Sequence, residues 1–223
     1  LSRIFFNILV LTPQIFFILI ILGIISMIVG ALLAIAQRDI KRMFAYSSIS
    51  QIGYIIFALG IGTPLAILVG LFDLFNHAIF KSLLFLYSGA IEYSTNTRDL
   101  KRLGGLNARL PVTGVTSLFG SMSISGIPPL GGFWSKLIII IAAIQARYFG
   151  TATVAILVSI VTLAYYLKFQ SYAFFGKLDG TWLKIKEVPW AMRLSMIVLA
   201  VICVVSGLLI IPLFKPFLQS AVN

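Results

Sequence analysis

The stretch LVGLFDLFNHAIFKSLLFLYSGAI (68–91) is long and apolar enough to cross a bilayer as one helix, yet it carries Asp73, His77 and Lys81. About 20 apolar residues suffice for a hydrocarbon core of about 30 Å. An ammonium group at bilayer depth costs about 2.5–3.5 kcal/mol on insertion scales, so such a lysine faces a bundle interior or a hydrated route and marks an ion path. Residues four apart share a helix face, and the three groups therefore form one polar stripe roughly 12 Å long. A carboxylate, an imidazole and an amine in a row, with water between them, can pass protons. Asn76 and Ser82 are placed to add hydrogen bonds nearby.

Composition places this stretch in a membrane protein. Of 223 residues, 60% are apolar and 10% are charged, against about 25% charged in a soluble domain. The net charge of +11 does not point to nucleic acid, because the basic residues lie mostly in short loops, as RDIKR (38–42) and RDLKRLGGLNAR (98–109). Loop enrichment in Lys and Arg is a topology signal. Cys203, the single cysteine, reads as a small core hydrophobe and excludes an intrachain disulfide or a thiolate metal cluster. The opening on Leu1, running directly into apolar sequence, is expected of a piece of a longer chain. Residues 1–36 lack the short apolar core and A-x-A site of a cleavable signal peptide.

The expected fold is all-α, a single polytopic membrane domain over 1–223 with about seven transmembrane helices, at 13–36, 44–61, 65–91, 110–126, 131–147, 151–174 and 193–213. Gly and Pro punctuate them in GIGTP (60–64), in GIPPLGG (126–132) and at Pro189. Positive charge puts the 37–43 and 92–109 loops on the cytoplasmic side. Alternation then places 61–64 outside, and 175–192 outside as well. The latter holds Lys177, Lys184 and Lys186 against Asp179 and Glu187, in conflict with the rule. One span fewer between 110 and 147 removes the conflict.

A second lysine lies in SISGIPPLGGFWSKLIIIIAAI (123–144). Pro128 and Pro129 remove two backbone donors, and Gly131 and Gly132 loosen the chain before Lys136. A broken helix leaves backbone groups that protein or water must meet, which sets the break beside a hydrated cavity, a device recurring at ion sites in transporters. The plainer reading is a short extracellular turn with Lys136 snorkelling to the surface. Lys168, in LAYYLKFQSY (163–172), fits snorkelling and an ion path equally. Glu92 and Arg147 read as solvated helix-end anchors, and Trp134, Trp182 and Trp190 as interface or core residues. No nucleotide loop, haem motif, iron–sulfur cysteine set or hydrolase triad is present, so no cofactor and no redox active site are expected in this chain.

Four segments in order, AQRDIKRMFAYSSISQIGY (36–54), NHAIFKSLLFLYSGA (76–90), TRDLKRLGGL (97–106) and GIPPLGGFWSK (126–136), resemble the antiporter-like subunits of respiratory complex I. That family also includes Mrp-type cation/proton antiporters and subunits of membrane-bound hydrogenase-related complexes. The resemblance covers residues 10–175, and the HAIFK segment is most similar to the hydrogenase, Mrp and larger complex I members. It implies that Lys81 is the central lysine of a proton path with His77 its neighbour, and that Lys136 is the lysine of a discontinuous helix. Where some relatives carry a second histidine, this chain has Asp73. The family's two inverted five-helix repeats imply that 13–36 ends a preceding repeat, that 44–174 is the second, ion-translocating repeat, that 175–192 is a loop and that 193–213 is a terminal helix. The glutamate–lysine pair of the first repeat is absent.

The resulting expectation is a proton-translocating membrane subunit of a redox-driven complex of complex I, hydrogenase or sulfur reductase type, relaying protons through Lys81, His77, Asp73, Lys136 and Lys168 past the broken backbone at Pro128, Pro129, Gly131 and Gly132. The alternatives are a Na⁺/H⁺ antiporter subunit of Mrp type and a non-conducting structural half-subunit. Expected partners are other membrane subunits, including a chain supplying the first repeat, together with lipid, protons and, in the antiporter reading, Na⁺. The expected location is a prokaryotic cell membrane rather than the mitochondrial inner membrane.

Overall fold

The computed structural model describes residues 13–178 and 180–222, with side chains up to residue 208. The expectations for the start of the chain and for Asp179 therefore lie outside the described residues. Among these residues the fold is all-helical, with α1 Pro13–Ala36, α2 Ile40–Ile61, α3 Pro64–Thr95, α4 Pro111–Ser125, α5 Gly131–Gln145, α6 Phe149–Ala173 and α7 Trp190–Val222. Five are long and apolar enough to cross a membrane: α1, α2, α3, α6 and the Trp190–Leu208 part of α7.

The local sequence accounts for the helix limits. Asp39 caps α2, its carboxylate accepting from Arg42 N at 2.9 Å, and α2 stops at Gly62 with φ 74°, a left-handed stop that glycine adopts without a Cβ clash. Thr63 caps α3 and Pro64 occupies its first turn, where the missing N–H costs no bond. The two basic loops join at one end of the bundle: Ile40 N donates to Arg98 O at 3.1 Å, and Leu100 N to Arg38 O at 2.9 Å. Glu92 completes that end with ion pairs to Lys41 and Arg98, both at 2.6 Å.

α1 and α2 pack with their backbones nearly touching. A Cβ on Gly23, Gly30 or Gly53 would run into the backbone of the facing helix, and Ser50 Oγ bridges the pair by donating to Met27 O at 3.0 Å. Small residues and hydroxyl bridges are the usual means of helix association in lipid, where no hydrophobic force draws helices together. α2, α3 and α6 meet at an aromatic node: the Phe44 ring lies 5.5 Å from Tyr87 and 5.2 Å from Phe169 between centroids.

α4 and α5 depart from the expected pattern of ordinary spans. Each has 15 residues, about 22 Å of helix, short of a core of about 30 Å. They are separated by Gly126–Leu130, which contains a cis Pro128–Pro129 bond. One side of the break packs on α7, where Gly207 lies against the backbone of Pro129 and Gly131, while the Pro128 and Pro129 rings are exposed.

The 174–188 segment also differs from expectation. Alternation put it at the end opposite the basic loops, but it packs on them. Gly105 N donates to Phe175 O at 3.3 Å, Trp182 Nε1 to Arg102 O at 3.0 Å, and Ser94 Oγ to Lys186 O at 3.3 Å. The lysines of this segment therefore lie at the same end as the other basic residues. Glu187 then caps α4 from outside the helix, accepting from Val112 N at 2.9 Å and Thr113 Oγ1 at 2.7 Å, where Leu110 offers no side-chain cap. Glu187→Ala is expected to destabilise the protein by about 0.5–2 kcal/mol, the usual scale of a lost N-cap. Thermal unfolding of the assembled complex checks this, and an unchanged melting temperature would contradict it.

Candidate ion-path site

α3 carries the stripe read from the sequence, and its three groups reach different neighbours. Asp73 is 5% exposed; its Oδ1 accepts from Ser135 Oγ of α5 at 2.6 Å, while Oδ2 has no hydrogen-bond partner. Asn76, fully buried, has both Oδ1 and Nδ2 without partners. Its amide points to where a side chain on Gly131 would stand, and Ser206 Oγ of α7 reaches the same place. His77 is half-buried, with Nδ1 unpartnered. Lys81, 8% exposed, turns to α2, where its Nζ donates to Phe44 O at 2.7 Å and to Ser47 Oγ. No direct hydrogen bond links Asp73, His77 and Lys81. Ser82 is exposed and bonds back to Ala78 O.

Lys136 does not snorkel. It is 4% exposed, and its Nζ donates to Ile124 O, in the last turn of α4, at 2.8 Å. It also lies 5.2 Å from the centroid of the Tyr54 ring. Two ordinary attractions hold the cation there, the carbonyl-rich C-terminus of a helix and the face of an aromatic ring. Asp73 lies within electrostatic reach of it. The Tyr54 hydroxyl is itself fixed, donating to Ala155 O at 2.6 Å and lying 2.8 Å from Ser159 Oγ. A cavity of about 240 Å³ between α5 and α6 is lined by Lys136, Ser125, Gly126, Phe133 and Ser159 among others.

The break brings these groups together for a backbone reason. Gly132 passes so close to Ser123 O that no Cβ fits between them, which sets the first turn of α5 against the last turn of α4 and aims Lys136 at the α4 carbonyls. Gly126, with φ 82°, ends α4 in the left-handed region and leaves room beside the Lys136 side chain.

Lys168 stands apart from this group. Its Nζ donates to Ile35 O at 2.7 Å and Gln37 O at 3.1 Å, so the ammonium sits on the C-terminal carbonyls of α1 near the basic loops. Among the described residues no group of three or more His, Cys, Asp or Glu side chains is placed to hold a metal ion. The sequence reading missed Ser47, Tyr54 and Ser135. The first two had a readable signal: Ser47, Ser50, Gln51 and Tyr54 fall at i, i+3, i+4 and i+7, one polar face of α2.

The interior is a set of titratable side chains with unpartnered buried polar atoms around an interrupted helix, which is the chemistry of an ion path. Comparison with known proteins agrees with that class. The family described as NADH:quinone oxidoreductase/Mrp antiporter, TM matches residues 1–165. The chain belongs to this family. A Na⁺/H⁺ antiporter subunit of Alkalihalophilus pseudofirmus is 36% identical over 203 residues, 91% of this chain and 41% of that protein. A chain of the archaeal membrane-bound sulfane sulfur reductase, a respiratory membrane complex, superposes with a TM-score of 0.82 at 36% identity, covering 86% of this chain and 32% of that one. Respiratory complex I of Thermus thermophilus gives a TM-score of 0.84 at 25% identity over 95% of this chain and 45% of that one. The chain spans between 21% and 41% of the length of the first curated relatives it matches.

Proposed function

We propose that the chain is a proton-translocating, antiporter-like module of a larger redox-driven membrane complex, in which Lys81, His77, Asp73 and Lys136 exchange protons across the interior. The observation that carries this reading is the burial of Lys136 at the helix break, bonded to a carbonyl of α4 and within reach of a carboxylate. An amine held there by a helix terminus rather than a closed ion pair can gain and lose a proton without breaking the fold. Lys168, on the α1 carbonyls, serves as the link between α1 and α6 at the basic end. Pro128 and Pro129 supply the donor-poor backbone of the break, and Gly131 and Gly132 allow its close packing on α7 and α4.

We infer further that α4 and α5 together make one interrupted crossing. Their length, the packing of Gly131 and Gly132 against α7 and α4, and the return of 174–188 to the basic end support this. The five-crossing repeat is then α1, α2, α3, α4–α5 and α6, in place of the 44–174 unit suggested by the sequence, with α7 following it. All the basic loops fall on the cytoplasmic side of the membrane, as their charge favours. The bacterial and archaeal relatives favour a prokaryotic cell membrane, and the part-length match favours further membrane subunits or segments that complete the path.

Similarity to a Na⁺/H⁺ antiporter subunit supports a second reading, cation/proton exchange without an attached redox enzyme. Proteoliposomes of the purified complex separate the two: proton movement driven by an electron donor supports the first, and movement driven only by a Na⁺ gradient supports the second. Lys136→Met is expected to lower proton movement by at least about tenfold, a barrier change of roughly 1.4 kcal/mol, with the complex assembled. An assembled variant working at the parental rate would refute the role of Lys136.

A further inference from the structure

We propose that the groove between α4 and α7 binds an anionic phospholipid of the leaflet at the basic end of the bundle, its acyl chain between the two helices and its phosphate on Arg193. The site lies outside the ion path and does not depend on which ion the chain moves.

The groove has a volume of about 310 Å³ and is lined by Val115, Thr116 and Phe119 of α4 and by Ile197, Val201 and Val205 of α7, among others. Its walls are hydrocarbon almost throughout, since the Thr116 hydroxyl is given to Val112 O at 2.8 Å. Val115, Phe119, Ile197, Val201 and Val205 are all exposed. In a membrane such a face shows only that something apolar covers it. The head of the groove shows what.

Ile197, Val201 and Val205 recur every four residues along α7, and the next position of that row toward the N-terminus is Arg193. Arg193 therefore stands in line with the groove, about 6 Å beyond Ile197 along the axis. It lies in the first turn of the Trp190–Leu208 crossing, and its guanidinium sits 5.8 Å from the ring of Trp190, which is exposed. Tryptophan at a helix end marks the level of the lipid headgroups. The Nε of Arg193 is buried without a hydrogen-bond partner, and none of the ion pairs among the described residues includes this side chain. Glu187, six residues earlier, is already engaged by Val112 N and Thr113 Oγ1 of α4. Lys184 and Lys186 are exposed on the same segment and add positive charge at this end.

An arginine at headgroup depth with an unanswered N–H needs an acceptor, and guanidinium matches phosphate oxygens in geometry and charge. The hydrocarbon wall then continues inward from Ile197 to Val205 for about 12 Å, most of one leaflet of a core about 30 Å thick. A polar anion at the surface with an apolar tail beneath it is the chemistry of a phospholipid. A helix of another subunit would cover the apolar wall equally well, but would answer Arg193 only by carrying an acceptor at that one level. The surrounding positive charge favours a lipid of net negative charge over a zwitterionic one.

The test places the assembled complex in phosphatidylcholine vesicles with a trace of phosphatidylglycerol carrying a photoactivatable group in its acyl chain. A parallel sample carries the same group on phosphatidylcholine, and peptide mass spectrometry locates the crosslinks. Phosphatidylglycerol is expected to label the Phe119 and Val201–Val205 peptides at least about fivefold more than phosphatidylcholine. That ratio equals about 1 kcal/mol, the scale of one basic residue near an anionic membrane surface. Arg193→Gln should bring the ratio close to one, while Arg193→Lys, which keeps the charge, should hold most of it. Val201→Trp, which fills the groove, should lower labelling by both probes. A ratio near one in the parental complex would mean ordinary boundary lipid and overturn the proposal, even if Arg193→Gln does not assemble. An unchanged ratio in assembled Arg193→Gln would overturn it as well. So would the absence of labelling by either probe, because a protein segment then covers the groove.

Discussion

Lys81→Met is expected to stop proton translocation by the assembled complex while leaving assembly intact. Methionine approximates the length and volume of the lysine stem, so the packing of α3 on α2 is preserved. What disappears is the titratable amine that joins the α3 face to Phe44 O and Ser47 Oγ of α2. Ser47 keeps its own bond to Phe44 O at 2.8 Å, so no new orphaned donor is created there. Removing a buried charge also relieves its desolvation, and replacing buried ionic groups with apolar ones of similar volume is often neutral or stabilising. Loss of transport should therefore come without loss of stability, by at least about tenfold or 1.4 kcal/mol in barrier. Lys81→Arg sharpens the experiment: guanidinium keeps the positive charge but does not give up its proton in proteins. If titration matters, arginine fails as methionine does; if a fixed charge is enough, arginine works. Dye-reported acidification of proteoliposomes reads both variants, and parental rates in Lys81→Met would dismiss the lysine from the path.

The membrane class and the long helices were legible because they rest on long apolar runs and local stop signals. The 65–91 span falls inside α3, bounded by Thr63–Pro64 and by Asn96 with φ 54°, and 151–174 matches α6 to within two residues. The buried lysines were legible for a related reason, since a charge in an apolar run has few places to go. Other features were not. An apolar run of 15 residues reads alike as a short span and as half of one, so the sequence leaves open whether 110–126 and 131–147 are two crossings or one. The end at which 174–188 lies was read by alternation from the span count, and only the contacts of Gly105, Trp182 and Ser94 place it at the basic end. Lys168 sits on the end of α1, a partner 131 residues away, and no local pattern announces such a contact. The hydroxyls of Ser47 and Tyr54 were legible as a polar face on α2 but not as partners of Lys81 and Lys136, because pairing between helices depends on rotation about their axes, which periodicity leaves open.

Gly132→Ala is expected to do at the break what Lys81→Met does at the amine, by geometry instead of chemistry. A Cβ there would press into the carbonyl oxygen of Ser123 and approach the Phe80 ring at 3.2 Å. The carbonyl belongs to the last turn of α4 and has no rotamer to escape into. α5 must therefore move away from α4, and Lys136, one turn further on, moves with it and leaves Ile124 O. A displacement of about 1 Å can cost on the order of 10²-fold where proton donors and acceptors must meet, so translocation should fall by ten- to a hundred-fold. Strain of overpacking, about 1–3 kcal/mol, should appear together with it as a lower melting temperature. Gly89→Ala is the matched control: a Cβ at Gly89 meets nothing within 4 Å, and alanine gains about 0.8–1.0 kcal/mol of helix propensity over glycine. That variant should transport normally and melt no lower than the parent. Equal behaviour of the two alanine variants would mean that the close passage of Gly132 beneath Ser123 does not set the position of Lys136.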